Sequence, residues 1–425
     1  MIPLGLTVSE QAEFHRTIKG LNDEPIDIDV RVHLLDMSER YVADLSSWLL
    51  GGQVVVEADG EVTRSCQVSL LDPEHRAGID PARPGESTHL NRMLSVSYGV
   101  WVPALERWVR VPVFRGPLTK ASRAGDTLEV EALGKEHLLR DDAGWSKVYA
   151  AGLTRTGVIR DILVRSGERR YVVPSWKPRT GKTSVMPKIG TVEAKGVRNR
   201  WDRSHPWSWI TAIARSMRAQ AWYDGGGTYR MRQEPTRVSW WFTDSHLLSR
   251  PSVTIDDADV FNHVLVVGQP PDGKKWVVES YGSIPASHPN SPQKLGRNGV
   301  KRYLVDTIED SEIRTQLDAD LARDRRLNEL VVTSYSVQFD CLPIPHLDPG
   351  DLCHLAWDEA PGQFRLKTFT LPLDGTAMSV GYARETRRTP AMIRAARRRS
   401  AARRRQADQV KARRVAARKK ARKKS

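Results

Sequence analysis

From Ile26 to Leu34 every second position is apolar (Ile26, Ile28, Val30, Val32, Leu34), and Asp27, Asp29, Arg31 and His33 fill the other positions. A two-residue period of this kind predicts a half-buried strand. Residues 54–56 and 62–71 read as two more strands around Ala58-Asp59-Gly60-Glu61, where Asp-Gly is a hairpin signal. Leu94, Val96, Tyr98 and Val100 mark another strand, followed by the run 108–114, a Gly125-Asp126 turn and an alternating strand over 127–133. Residues 26 to about 140 therefore read as an antiparallel barrel or sandwich.

The period lengthens near residue 150. Val158, Ile159, Ile162 and Leu163 share one face of a short helix that Gly167 stops. A loop rich in Lys, Pro, Gly and Thr follows from 175 to about 196. The next helix takes Ser204 as N-cap and Pro206 in its first turn, with Trp209, Ile210, Ile213, Ala214 and Met217 as its apolar stripe. Ala221-Trp222-Tyr223, the turn Asp224-Gly225-Gly226-Gly227 and residues 229–232 make a hairpin, so this region reads as a small α+β domain. Further on, the pattern predicts a strand over 260–267, a Pro/Gly/Ser-rich loop around 282–298, and a helix over 311–330 with Ile313, Leu317 and Leu321 on its buried edge. Strands return at 331–339, 352–357, 364–371 and 376–382.

Charge changes the picture only at one end. The chain of 425 residues carries a net +15, but 18 of its 66 Lys and Arg lie in residues 387–425 beside one acid, Asp408. The other 386 residues hold 48 bases against 50 acids, so the body is close to neutral and the cationic signal belongs to the arm. Its clusters are Arg397-Arg398-Arg399, Arg403-Arg404-Arg405, Arg413-Arg414, Arg418-Lys419-Lys420 and Arg422-Lys423-Lys424. With no interleaved aromatics, such a segment binds phosphates or acidic side chains by charge, with a steep salt dependence. Three scattered cysteines, Cys66, Cys341 and Cys353, are not a disulfide framework. We expect no signal peptide and no membrane span.

Candidate chemistry is sparse. Thr180-Gly181-Lys182-Thr183 has the end of a phosphate-binding loop, but Trp176 stands where the motif requires glycine. Cys341, His346, Cys353 and His354 are metal-ligand types without a closely spaced pair, and Cys353 and His354, being adjacent, face opposite sides of a strand. Asp256, Asp257 and Asp259, like Glu309 and Asp310, flank a strand or a helix start and more simply serve the backbone than catalysis. Trp207/Trp209 and Trp240/Trp241 are candidate sugar platforms, weighed against packing in the core. We expect neither metal nor cofactor, and no enzymatic activity.

Four stretches, in their order, resemble the hub or tail-tip proteins of long-tailed bacteriophages, particularly minor tail proteins of phages of actinobacteria. They are 98–118 with its Phe114-Arg115-Gly116 strand end, the helix, hairpin and Gly-rich turn of 207–232, Asn262–Gly268, and the helix 311–330 followed by Leu347-Asp348-Pro349-Gly350-Asp351-Leu352. The likeness covers residues 26–385. It implies a mainly β fold with α+β inserts: an extension (1–25), a first tail-tube-like β-barrel (26–145), an α+β insert (146–250), a second barrel containing the helix (251–386), and the polybasic arm (387–425). It also implies a homotrimeric structural protein of the virion tail tip, assembled in the host cytoplasm. Such a hub surrounds the DNA channel and joins the tail tube or distal tail protein to other tip or baseplate proteins, with a part in DNA ejection. The arm would then meet the tape-measure protein or phage DNA. Rival readings are a nucleic-acid-binding or packaging protein acting through the arm, and a tail-associated cell-wall hydrolase.

Overall fold

A computed structural model describes residues 2, 4–20, 26–79, 81, 91–140, 154–174, 205–217, 219–233, 235–254, 260–268, 278–310, 316–330, 333–357 and 362–386. The arm, Ser204, residues 180–183, Asp256, Asp257, Asp259 and Ile313 lie outside them, as do the side chains of Leu317 and Leu321.

The fold is mainly β. In chain order the strands are β1 (Ile28–Asp36), β2 (Tyr41–Asp44), β3 (Leu49–Glu57), β4 (Arg64–Leu71), β5 (Arg92–Val102), β6 (Arg107–Ala124) and β7 (Thr127–Leu133). Then come β8 (Tyr171–Val172), β9 (Ala219–Tyr223), β10 (Tyr229–Gln233), β11 (Trp240–Phe242), β12 (Ser252–Thr254), β13 (His263–Gly268), β14 (Val278–Ser283) and β15 (Val305–Asp310). The last are β16 (Thr333–Cys341), β17 (Leu352–Leu355), β18 (Gly362–Arg365), β19 (Thr368–Pro372) and β20 (Met378–Thr386). The helices are α1 (Val8–Ile18), α2 (Arg155–Arg165), α3 (Pro206–Ser216), α4 (Pro292–Leu295) and α5 (Gln316–Leu330). Among the described residues no helix is long and apolar enough to cross a membrane.

The chain divides into two compact units, residues 1–253 with 336–383, and residues 254–335. The large sheet runs β12-β16-β20-β19-β3-β4-β7-β6-β5-β1-β2. The expected alternation holds in the second half of β1, where Val32 and Leu34 are buried, while Ile28 and Val30 are half-buried and Leu35 is buried on the other parity; Val54 and Val56 of β3 and Val68 and Leu70 of β4 are buried as well. Strand β6 turns a corner: residues 107–117 pair with β5 and 118–124 with β7, with a bulge between Leu118 and Lys120. The C-terminal strand β19 joins the N-terminal hairpin, Phe369 facing Val56, so strands some 300 residues apart in sequence share one core.

Against this sheet's unit sits a small α+β module. Val158, Ile159, Ile162 and Leu163 of α2 and Trp209, Ile210, Ile213, Ala214 and Met217 of α3 are all buried in one cluster with Tyr223, Tyr229 and Met231. Thr154 caps α2 by accepting from the Gly157 N–H, and Gly167 closes it with φ +81°.

Two readings from the sequence need correction. The N-terminal segment contains α1, and the signal was present: Thr7-x-x-Glu10 forms a capping box, Thr7 accepting from the Glu10 N–H and Glu10 from the Thr7 N–H. The run 364–371 is two strands. Leu366 N–H donates to Asp351 O while its carbonyl accepts from Gly350, which pulls the chain out of one sheet before it enters the next.

The second unit is a three-stranded sheet, β14-β13-β15, with β13 antiparallel to β14 and parallel to β15. Its even-numbered residues face α5: Val264, Val266 and Val278 form the core with Ala319 of the helix, and Leu327 and Leu330 pack on it. Arg323 binds the Ser280 hydroxyl, and the Arg326 guanidinium meets Asp306, fixing the helix on that face.

Candidate functional site: a buried junction of three sequence motifs

Three of the stretches singled out in the sequence converge on one place in the first unit: residues 111–116 of β6, the turn 224–227 between β9 and β10, and the 347–352 turn before β17. A side chain would be crowded at both glycines of the contact, against backbone at Gly225 and against a side-chain amide at Gly350. A Cβ on Gly225 would overlap the Pro112 carbonyl, and one on Gly350, held at φ +74°, would overlap the Gln220 side chain. The turn 224–227 is a side-chain-braced hairpin, since Asp224 Oδ1 accepts from the N–H groups of Gly226 and Thr228, each at 3.0 Å.

Charges lock the contact. Arg64 of β4 reaches Asp348 at 2.6 Å and the Val113 carbonyl at 3.2 Å, and both side chains of the pair are almost wholly buried. Asp351 accepts from Arg232 of β10 at 2.8 Å and from the Asp348 N–H at 2.9 Å. The second Arg232 nitrogen donates to the Pro349 carbonyl at 2.8 Å, and its guanidinium lies over the Trp222 ring at 4.6 Å. Burial raises the Asp348 carboxyl against the opposing pull of Arg64. Replacing either member alone would strand the other charge in a low-dielectric setting.

A second set of ions lies beside it. Lys135, in the 3-10 turn after β7, sits 2.6 Å from both Glu39 and Glu168 and donates to the Gly227 carbonyl at 3.2 Å. Arg115 and Arg170 also reach Glu39, at 3.0 and 3.1 Å. Burial would lift Glu39, but Lys135, Arg170 and Arg115 together hold its carboxyl below the usual range. Neighbouring Glu136 behaves oppositely. Burial raises it, although Thr63 Oγ1 and the Tyr223 N–H both donate to it. These groups tie sheet, module and turn into one body. The carboxylates of Glu39 and Glu168 are spent on fixed cations, while one buried oxygen of Glu136 has no hydrogen-bond partner among the described residues.

The turn also carries a histidine cluster. His346 is fully buried, stacks on His15 of α1 at 5.1 Å, and meets Phe14 at 5.4 Å and Trp240 at 5.2 Å. His246 packs on Trp240 from another side at 5.6 Å, and its Nδ1 accepts from the Thr243 N–H at 3.1 Å, which places the neutral ring's proton on Nε2. Burial pulls all three imidazoles down, His246 to about 4, with Lys19 adding to the effect at His15 and His246.

The metal-ligand types do not assemble. Among the described residues no three His, Cys, Asp or Glu are placed to hold an ion. Cys341 and Cys353 are buried thiols pushed up by burial, as is Cys66. His354 faces the opposite way from Cys353 and packs at a tilt against Trp241, 4.2 Å between ring centres. Of the tryptophans, Trp207, Trp209 and Trp240 are buried, and only Trp241 of that set is exposed. Glu309 and Asp310 end β15. Sequence reasoning missed Arg64, Lys135, Glu39 and Arg232. Each stands in an unremarkable local context, and only the partner across the fold gives it a role.

No protein-family model matches the sequence, and no curated protein matches it. Among solved structures the chain is similar to the tail protein from Neisseria meningitidis MC58, with TM-score 0.51 and 11% identity over 84% of this chain and 96% of that one. It is similar in the same degree to the 43 kDa tail protein of prophage MuSo2 from Shewanella oneidensis, with TM-score 0.52 and 11% identity over 84% and 98%. At that identity the shared property is the fold.

Proposed function

We propose that this chain is a structural, non-enzymatic component of a bacteriophage tail tip. In this reading it is a homotrimeric hub that joins the tail tube to the tip or baseplate and surrounds the DNA channel. The observation that carries it is the extent of the shared fold, which takes in almost the whole length of two tail proteins, one of them from a prophage. The buried junction supports it, because a hub transmits force and has to keep its parts in one geometry. In the same reading the arm, with clusters from Arg397 to Lys424, binds the tape-measure protein or DNA.

Light scattering on a sizing column tests the assembly. A mass three times that of the chain, with rings in negative stain, is the expected result. A monomer at high concentration, alone and with a tail-tube partner, would sink the hub and bring forward a nucleic-acid-binding protein that works through its arm. Deleting 387–425 separates those two, since a hub keeps its assembly and a binder loses its activity.

A further inference from the structure

Among the described residues, α5 covers one face of the second unit's sheet and no element packs on the other. On the other, the odd-numbered residues form rows across β14, β13 and β15: Ser283–His263–Val305, then Tyr281–Leu265–Thr307, then Glu279–Val267–Glu309. The first two rows carry flat rings. Tyr281 is 69% exposed and Tyr303, which runs into β15, is 48% exposed. Both pack on His263, at 6.2 and 5.1 Å between ring centres, and His263 is steadied by a 2.8 Å hydrogen bond between Nδ1 and the Ser283 hydroxyl.

Beside these rings the chain is cationic. Residues 284–304 contain no Asp or Glu, and Lys294, Arg297, Lys301 and Arg302 are all exposed. None of the four has an ion-pair partner among the described residues. Lys301 and Arg302 immediately precede Tyr303 in the chain, and both are exposed. The Arg302 N–H donates to the Pro292 carbonyl, Arg297 and Val300 close a bridged turn, and Asn262, just before β13, donates its Nδ2 to the Arg302 carbonyl and accepts at Oδ1 from the Leu304 N–H, so the segment is held against the end of the sheet. At the far end Glu279 and Glu309 would repel a phosphate, which confines an anionic strand to the His263 end.

We propose that this face binds single-stranded nucleic acid: Tyr281, His263 and Tyr303 stack on successive bases, and Lys301, Arg302, Arg297 and Lys294 neutralise the backbone between them. Exposed rings beside a cationic segment are what sequence-tolerant stacking requires. Charge alone would suit any polyanion. The three rings select one with flat bases. The site is separate in sequence from the arm and does not depend on the hub reading.

The test uses the full chain and a 20-nucleotide single strand carrying 5-bromodeoxyuridine, photocrosslinked at moderate salt and mapped by peptide mass. Crosslinks on the peptides holding Tyr281 and Tyr303 are expected. Tyr281→Ala should weaken binding by about 5- to 150-fold, the range for loss of one stacked base, while Tyr281→Phe keeps it. Both positions are exposed, so the melting temperature should not move. If it does, Lys301→Glu with Arg302→Glu serves as the second variant, again with weakened binding expected. Crosslinks confined to residues 387–425, affinity unchanged in these variants, or equal binding to polyphosphate would each overturn the proposal.

Discussion

The junction in the first unit and the open face of the second treat charge in opposite ways. At the junction Arg64, Arg232 and Lys135 are each met by a carboxylate within 2.8 Å, and the aromatic rings near them are buried. On the open face the cations of 294–302 have no ion-pair partner among the described residues, and Tyr281 and Tyr303 are exposed. Fixed pairs inside a protein hold elements in register, and removing one partner is costly because the other stays desolvated. Unpaired cations and bare rings on a surface contribute little to folding and are open to a ligand. The two regions therefore separate stability from recognition, and substitutions should separate them too.

The largest effect is expected at Arg64→Ala, which leaves Asp348 buried with no cation. It should lower unfolding stability by about 3–5 kcal/mol in urea titration. Pairing Arg64→Met with Asp348→Leu should recover most of that loss, because then neither charge is stranded. A single substitution costing less than about 1 kcal/mol would show that water reaches the pair, and the contrast between the regions would fail.

Acid should act next, through the histidine cluster. The unfolded chain protonates its histidines near pH 6.5. In the folded chain burial holds His15, His246 and His346 lower, His246 at about 4, so between those limits the unfolded state binds more protons. Stability from these groups is fully present above about pH 6.5 and declines as pH falls toward 4. The carboxyls of Glu39, Asp44 and Asp374 are also lowered in the fold, and their contributions are lost further into acid. At Asp374 the hydroxyl and N–H of Thr376 hold the carboxyl down. Glu136 and Asp348, whose carboxyls burial raises, act with the opposite sign, so the cluster is read from a difference: below pH 6.5 the melting temperature should fall more steeply in the wild type than in His246→Asn. Parallel profiles between pH 6.5 and 5 would show that the cluster is not sealed.

The sequence made the local elements legible and left their partners hidden. The alternation of β1 and the stripes of α2 and α3 are properties of neighbouring residues, and they appear where periodicity puts them. The pairing of β19 with β3 and of Arg64 with Asp348 joins residues some 300 positions apart, for which one sequence holds no local signal. Helix α1 is different: its Thr7/Glu10 box was readable, but a single apolar face marked by Phe14 and Ile18 is short and interrupted by polar residues. The junction was half legible. Its Gly-rich and Pro-Gly-Asp turns stand out as motifs, yet the reason for Gly225 and Gly350 is what each backbone touches.

A smaller loss should follow Gly350→Ala. The residue sits at φ +74°, and the new methyl would press on the Gln220 side chain, a cost of about 1–3 kcal/mol. Gly125→Ala, at φ +60° with nothing near it, is the control for backbone strain alone. It should lose less. Equal losses in the two would mean that the 347–352 turn yields, and that its ion pairs rather than its close packing hold the junction.

The smallest effect belongs to the open face. Lys301→Ala removes an exposed cation that no described carboxylate answers, so folding stability should shift by no more than about 0.5 kcal/mol. Chemical denaturation of the full chain measures this directly, and the same preparation can be titrated with the single strand. A neutral change in stability with a clear loss of binding is what a surface kept for recognition gives. A stability loss as large as that of Gly350→Ala would instead make Lys301 part of the unit's own architecture. The cation would then have a partner within the fold, and the opposition between a sealed joint and an open face would reduce to two versions of the same joint.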